Sequence, residues 1–235
     1  MTTARDLDLM RIQASKLYLL DERNRMLAVN EPDPPPAPRL FLGRTLEGDI
    51  WLFRHDLPKP LNDTLETLLR AEPAATDLAQ PPRCLAAVQA ALAIDNGSST
   101  IETGPAWRFP DDLPSPQHAV IPITAANEAV VRDVFPVLAD HLPWRQPCLA
   151  IVADGRLASI CYSARNSIQA AEAGVDTLEP FRGRGYAASV AATWASAVRA
   201  EGRIPLYSTS WHNVASQSVA RKLGLILYGE DLVFE

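Results

Sequence analysis

The chain has 235 residues, 47% of them hydrophobic and 21% charged, with a formal net charge of −6. That is a globular composition with room for one large domain or two modest ones. It excludes a membrane-spanning protein, since no apolar run approaches the ~18–20 residues of a span, and the acidic balance argues against a general nucleic-acid binder.

No basic-then-apolar leader opens the chain, so no secretory signal is visible. Cys84, Cys148 and Cys161 lie far apart, which suits neither a disulfide framework nor a zinc site and fits a reducing cytoplasm. Arginine outnumbers lysine nineteen to three and alanine is abundant, as in GC-rich bacterial coding sequences.

In the first half, apolar spacing predicts a helix over Thr3–Leu20, with Leu7, Met10, Ile12 and Leu17 recurring. A proline cluster, Pro32 to Pro38, reads as a loop or short polyproline segment. Leu40–Leu46 and Ile50–Arg54 read as a hairpin through Glu47-Gly48-Asp49, and Asn62–Arg70 and Arg83–Ala93 as helices, the latter ending before Asn96-Gly97. A strand is expected at Ser99–Glu102. The second proline cluster, Pro105 to Pro116, then marks a boundary near residue 115, giving domains of 1–115 and 116–235. Acidic residues outnumber basic ones 17 to 12 before that point and 11 to 10 after it. Nothing in 1–115 forms a catalytic constellation, so it reads as a smaller α+β domain.

The second half reads as mixed α/β around one sheet. Val120–Ile123 is a short strand and Asn127–Leu142 a helix. Cys148–Ala153 and Leu157–Ser163 form a hairpin through Asp154-Gly155. A strand over Gln169–Leu178 leads into Arg182-Gly183-Arg184-Gly185, an alanine-rich helix runs to Arg199, and Ile204–Ser208, Val214–Leu223 and Leu225–Phe234 follow as strand, helix and strand.

The glycine turn carries the chemical signal. A strand, a turn with two glycines and then a helix make an anion site: the first-turn N–H groups lack intrahelical partners and the helix dipole favours negative charge. Arg182 and Arg184 add full charges. A P-loop fails for want of its lysine. A dinucleotide fingerprint is met in outline by Gly183-x-Gly185-x-x-Ala188 but is weak in its ribose carboxylate, because the next strand ends Tyr207-Ser208-Thr209-Ser210 and Glu201 lies before it.

Arg182-x-x-Gly185-x-Ala187 matches the acetyl-coenzyme A motif of the GNAT superfamily of N-acetyltransferases. Trp211 to Leu225, with Asn213 opening a helix that ends Arg221-Lys222-Leu223-Gly224, resembles that family's second signature. The run Ala171–Thr177 resembles its strand before the turn. The likeness covers about residues 118–235 and is nearest the bacterial, FR47-like style with an extra N-terminal domain. It implies a mixed, mostly antiparallel sheet flanked by helices.

The resemblance also implies a reaction: transfer of an acetyl group from acetyl-CoA, with no metal, to a primary amine of a small molecule or peptide. Gly183, Arg184, Gly185, Tyr186 and Ala187, with Arg182, would hold the diphosphate, and Val175, Asp176 and Thr177 would pair with the pantetheine arm. Asn213 and Ser216 would flank it. Glu172 is the first candidate for the base and Asp176, on the same strand face, the second. Glu179 reads as a surface group, and His212 either as a base or as a residue flanking the helix start. Where the family carries a tyrosine as the thiolate's acid this chain has Ala220, so Tyr207, Ser216, Ser218 or Tyr228 would have to serve, or the thiolate leaves unassisted. The alternative is a CoA-binding sensor or partner-binding module without much turnover. Neither nucleic acid nor membrane is an expected partner, and a homodimer is compatible with the reading. Trp107, Arg108 and Phe109 at the junction would either help wall the acceptor side or pack the linker on the sheet.

Overall fold

The computed structural model describes residues 5–96 and 100–235. The expected helix start at Thr3, the Gly97 stop and the strand start at Ser99 lie outside the described residues. The chain separates into two compact units. One comprises Met1–Ala106, Ser210–His212 and Leu227–Glu235, the other Trp107–Thr209 and Asn213–Ile226. The compositional shift near residue 115 falls inside the second unit.

In the first unit, helix α1 (Asp6–Leu17) ends three residues before the expected Leu20. Tyr18–Leu20 is instead a strand, β1, paired antiparallel with β2 (Met26–Val29). The turn between them is organised by Asp21, whose carboxylate accepts the N–H groups of Arg23 and Arg25. Strands β3 (Leu40–Thr45) and β4 (Gly48–Phe53) form the expected hairpin, with Thr45 opposite Gly48. Helix α2 (Lys59–Arg70) starts ahead of Asn62 because Pro60 fits its first turn, where no N–H is needed. Helix α3 (Leu85–Asn96) and strand β5 (Ile101–Arg108) follow, and the last strand of the chain, β11 (Ile226–Phe234), lies between β3 and β5 in the order β4-β3-β11-β5. Leu40, Leu42, Leu65, Val88, Leu92 and Phe234 make this unit's core. A charged row crosses its sheet: Asp49, Arg44 and Glu230 stand opposite one another on β4, β3 and β11. Arg44 pairs with Glu230 at 2.6 Å, and Trp211 Nε1 donates to the same carboxylate at 2.8 Å.

The second unit begins its sheet with β6 (Ile121–Pro122). The single helix expected over Asn127–Leu142 is two short ones, α4 (Ala129–Arg132) and α5 (Pro136–Asp140). Pro136 is the cause: it has no N–H, and it forces Phe135 out of helical geometry, to φ −130° and ψ 70°. Strands β7 (Cys148–Ala153), β8 (Arg156–Asn166), β9 (Ala170–Thr177) and β10 (Ile204–Ser208) complete the order β10-β9-β8-β7-β6, antiparallel except for the parallel β9–β10 pair. Asp154 and Gly155 both take positive φ, 53° and 72°, as a two-residue hairpin turn of this twist requires.

Helix α6 (Tyr186–Ala200) packs Val190, Ala191, Trp194 and Val198 on one sheet face, against Ala171 and Ala173 of β9, with Val175 at the margin. The period of two therefore puts Glu172, Gly174 and Asp176 on the opposite face. Trp107, near the end of β5, and Phe109, just after it, join the α6 core; Phe109 lies 5.9 Å from Trp194, ring to ring. A second cluster, with Ile123, Val131, Leu138 and Ile160, fills beneath α4 and α5. Helix α7 (Val214–Lys222) precedes the return into β11. The three cysteines are buried free thiols, and burial alone pushes Cys148 up to about 12.

Candidate active site

The parallel ladder between β9 and β10 consists of three pairs, Ile204 with Ala170, Pro205 with Ala171 and Leu206 with Glu172. Past it the two strands serve a cleft of about 440 Å³. Val175, Asp176 and Thr177 line it from β9 and Tyr207 from β10. Arg182, Gly183, Gly185, Tyr186 and Ala187 line it from the turn, and Asn213 and Ser216 from the start of α7. Of the residues expected to hold the donor and the two carboxylates expected to act as the base, the cleft gathers all but Glu172 and Arg184.

The turn owes its shape to its glycines. Gly183 and Gly185 have φ of 76° and 82°, a left-handed conformation that costs other residues ~1–2 kcal/mol, and the space where a Gly183 side chain would project is empty. Gly185 is also the N-cap of α6. It offers no capping side chain, and no acidic residue occupies that helix's first turn. Helix α7 shows the contrast: Asn213 caps it, accepting the Ser216 N–H on Oδ1 at 3.0 Å. The start of α6 thus keeps both its dipole and its N–H groups available to an external anion.

The two arginines diverge. Arg182 faces the cleft and donates from Nε to the Thr177 carbonyl at 3.3 Å. Arg184 donates to the Pro180 carbonyl at 3.1 Å, stacks over Phe181, and lines a second cleft of about 420 Å³ on the other flank of the turn.

The carboxylates sit differently although they share a strand face. Glu172 is 6% exposed, at the last paired position of the ladder, and accepts a hydrogen bond from Ser208 Oγ. Asp176 is open to solvent at the cleft, yet partial desolvation by the surrounding protein pushes its carboxyl above the ordinary range. Its carbonyl accepts from Ser159 Oγ at 3.0 Å. Tyr207 is buried with its hydroxyl 2.6 Å from Ser216 Oγ, and burial raises the phenol to about 12, so it stays protonated throughout the neutral range. Ser218 also lines the cleft, whereas Tyr228 falls in the first unit and does not. Ala220 is buried in the α6 core. Glu179 and His212 are exposed and neither lines the cleft.

Two neighbours of the turn have no sequence signal. Gln117 N–H donates to Ser189 Oγ at 3.2 Å. His118 Nε2 lies 3.0 Å from the Arg184 carbonyl, with its ring 4.5 Å from that of Tyr186, edge to face. They lie 66 to 72 positions before their partners, where no local pattern reports a contact.

Residues 148–230 match the family model for GNAT acetyltransferases. That stretch of the chain is similar to GNAT acetyltransferases. A GCN5-related N-acetyltransferase-like protein from Streptococcus suis superposes over 97% of this chain and 99% of its own, with a TM-score of 0.51 at 18% identity. A GNAT-family acetyltransferase from Colwellia psychrerythraea does so over 100% and 98%, with a TM-score of 0.52 at 14% identity. A third, a GNAT acetyltransferase from Novosphingobium aromaticivorans, aligns over 57% of this chain and 64% of its own, just under two thirds, at 17% identity and a TM-score of 0.49. No curated protein matches the sequence.

The matched stretch runs from β7 through the glycine turn into β11. The fold agrees: a mixed, mostly antiparallel sheet arrangement flanked by helices. Among the described residues no helix is long and apolar enough to cross a membrane, and no group of three His, Cys, Asp or Glu could hold a metal ion.

Proposed function

We propose that this protein is a GNAT-type N-acetyltransferase that moves the acetyl group of acetyl-CoA to a primary amine of a small molecule or peptide. The observation that carries the reading is the continuous cleft running from the end of the β9–β10 ladder to the uncapped start of α6. Its parts suit the donor: left-handed glycines with open space for phosphate oxygens, N–H groups at a helix start, and beyond the ladder a strand edge for an amide-bearing arm. Bound acetyl-CoA would supply the acyl group as an activated thioester.

The chain's own residues divide the remaining work. Backbone N–H groups from Gly183 to Ala187, with Arg182, bind and orient the diphosphate. Val175–Thr177 accept the arm as an added strand, and a β9 N–H at this level polarises the thioester carbonyl. Glu172 is the base for the amine, held in orientation by the Ser208 hydroxyl, with Asp176 as the second carboxylate on that face. Tyr207, with Ser216, is the hydrogen-bond donor to the departing sulfur, and burial keeps the phenol protonated through the neutral range.

A second reading rests on Ala220, buried where many GNAT enzymes carry a tyrosine acid: a CoA-binding sensor or partner-binding module with little turnover. Incubation with acetyl-CoA and a panel of primary amines, read as free thiol released, separates the two. Amine-dependent thiol release supports the transferase. Binding of acetyl-CoA with no release across the panel supports the sensor.

A further inference from the structure

The face of β9 that carries Glu172 and Asp176 has a neighbour the donor cleft does not use. On β8, Tyr162 stands opposite Gly174, and Ile160 opposite Asp176. Gly174 takes no left-handed φ, so this glycine serves space and not conformation: a Cβ there would lie 2.7 Å from Tyr162 Cζ and 3.0 Å from the hydroxyl oxygen. The tyrosine ring therefore lies across β9, its hydroxyl end between Glu172 and Asp176, each of which is ~7 Å along the strand from Gly174. Tyr162 also lines a cleft of about 330 Å³ with Val134, Phe135, Val137, Leu138 and Arg145. We propose that this cleft holds the tail of the acceptor, and that the acceptor is a small monoamine whose tail is apolar, aliphatic or aromatic. The assignment rests on the transferase reading and narrows its substrate.

Size, polarity and charge lead to it. The cleft is near the lower end of the ~300–1,000 Å³ typical of small-molecule pockets, which suits one short chain or ring. Val134 and Val137 are 37% and 67% exposed on it, while Phe135 and Tyr162 pack on the apolar cluster beneath α4 and α5 and give it a fixed floor. Among the described residues that line it, the only charged one is Arg145, which donates to the Ala164 carbonyl at 2.7 Å and stacks 5.6 Å from the centre of the Tyr162 ring. A second ammonium on the acceptor would thus meet a cation and no carboxylate. The reacting amine meets the opposite setting. Glu172 and Asp176 flank the hydroxyl end of the same ring, and Asp176 lines the donor cleft as well. One tyrosine joins an apolar compartment to an anionic one, and a monoamine with an apolar tail spans the two. The competing account is that the cleft is merely the gap left where Pro136 interrupts the helix. That account predicts no preference among acceptors.

Steady-state assays of the full chain with acetyl-CoA, read as one free thiol released per amide formed, distinguish them. The acceptors are propylamine, butylamine, pentylamine and hexylamine, with 1,5-diaminopentane as the partner that replaces the terminal methyl of hexylamine by an ammonium. In the wild type kcat/KM should rise about twofold to fourfold per methylene along the series, and hexylamine should exceed the diamine by at least tenfold. Val137→Asp places a carboxylate on the cleft at an exposed position, where the core is untouched. It should lower kcat/KM for hexylamine about tenfold and raise it for the diamine, closing or reversing the gap. A flat series, or a wild type that prefers the diamine, would overturn the proposal, as would a Val137→Asp variant that keeps the wild-type preference. Thiol release with amino acids or peptides but with none of the alkylamines would also overturn it and leave the transferase reading standing. Failure of that reading looks different: no amine of any kind would release thiol, and both would fall together.

Discussion

Gly183 and Gly202 form a matched pair that tests the anion site without confusing binding with folding. Their φ angles are 76° and 77°, both would project a Cβ into open space, and both are exposed. Gly183 lies in the turn ahead of α6, whereas Gly202 lies in the turn after it and lines neither cleft at the glycine turn. Alanine at either position meets no steric obstacle and bears only the left-handed backbone penalty of ~1–2 kcal/mol. At roughly 2–4 °C per kcal/mol for a chain of this size, calorimetric melting should fall by about 2–8 °C, and by a similar amount in both variants. Binding should separate them. At Gly183 the new methyl group occupies the space reserved for phosphate oxygens, and losing one charge-assisted N–H contact of ~1.5–3 kcal/mol weakens acetyl-CoA by about ten- to a hundredfold. Gly202→Ala should bind as the wild type does. Isothermal titration of both variants decides the matter. Wild-type affinity in Gly183→Ala, with the melting loss present, would remove the diphosphate from this turn; equal weakening in both variants would show that the loss is not local.

Three further outcomes follow from the site and its surroundings. Glu172→Gln should lower kcat by ~10²–10⁴ on a working amine while leaving acetyl-CoA affinity unchanged; a change of only a few-fold across pH 6–9 would move the base role to Asp176, tested by Asp176→Asn, or to water. Tyr207→Phe keeps the ring packed but removes the proton held against Ser216, so thiol release should slow at least tenfold with unaltered binding; an unchanged rate would leave the sulfur unassisted. In the first unit, burial pushes Asp49 up to about 6 despite Arg44 opposite it. A raised folded-state pKa means that its stabilising contribution is complete below about pH 4 and is lost as pH rises through about 6. Asp49→Asn should therefore be more stable than the wild type at pH 7.5, by at most about 3 kcal/mol, with the gain gone at pH 4. Chemical denaturation at the two pH values reads this directly, and a variant less stable at pH 7.5 would mean that the attraction to Arg44 outweighs desolvation.

The parts of this protein that its sequence determined are those governed by local backbone chemistry. Asp154-Gly155 specifies its hairpin because both residues tolerate positive φ. Asn213 announces α7 because a short polar side chain can take an orphan N–H. Gly183 and Gly185, ahead of an alanine-rich run, announce a strand–turn–helix with two left-handed glycines for the same kind of reason. The break between α4 and α5 was also written locally, in Pro136, but apolar spacing on both sides of it concealed the stop.

Tertiary structure decided what depends on partners distant in the chain. Periodicity puts Glu172 and Asp176 on one face, but only the end of the β9–β10 ladder makes one buried and held by Ser208 and leaves the other open at the cleft. Tyr18–Leu20 reads as helix until β2 supplies a ladder for it. The closing residues Leu227–Glu235 follow directly on α7, yet they pair with β3 of the first unit. His118 reaches the turn across 66 residues. Turn and cap preferences are properties of two to six consecutive residues, so a sequence displays them. Strand order, ladder length and the burial of a given carboxylate come from how separate segments compete to cover one another's apolar faces, and that competition is resolved only when the chain folds.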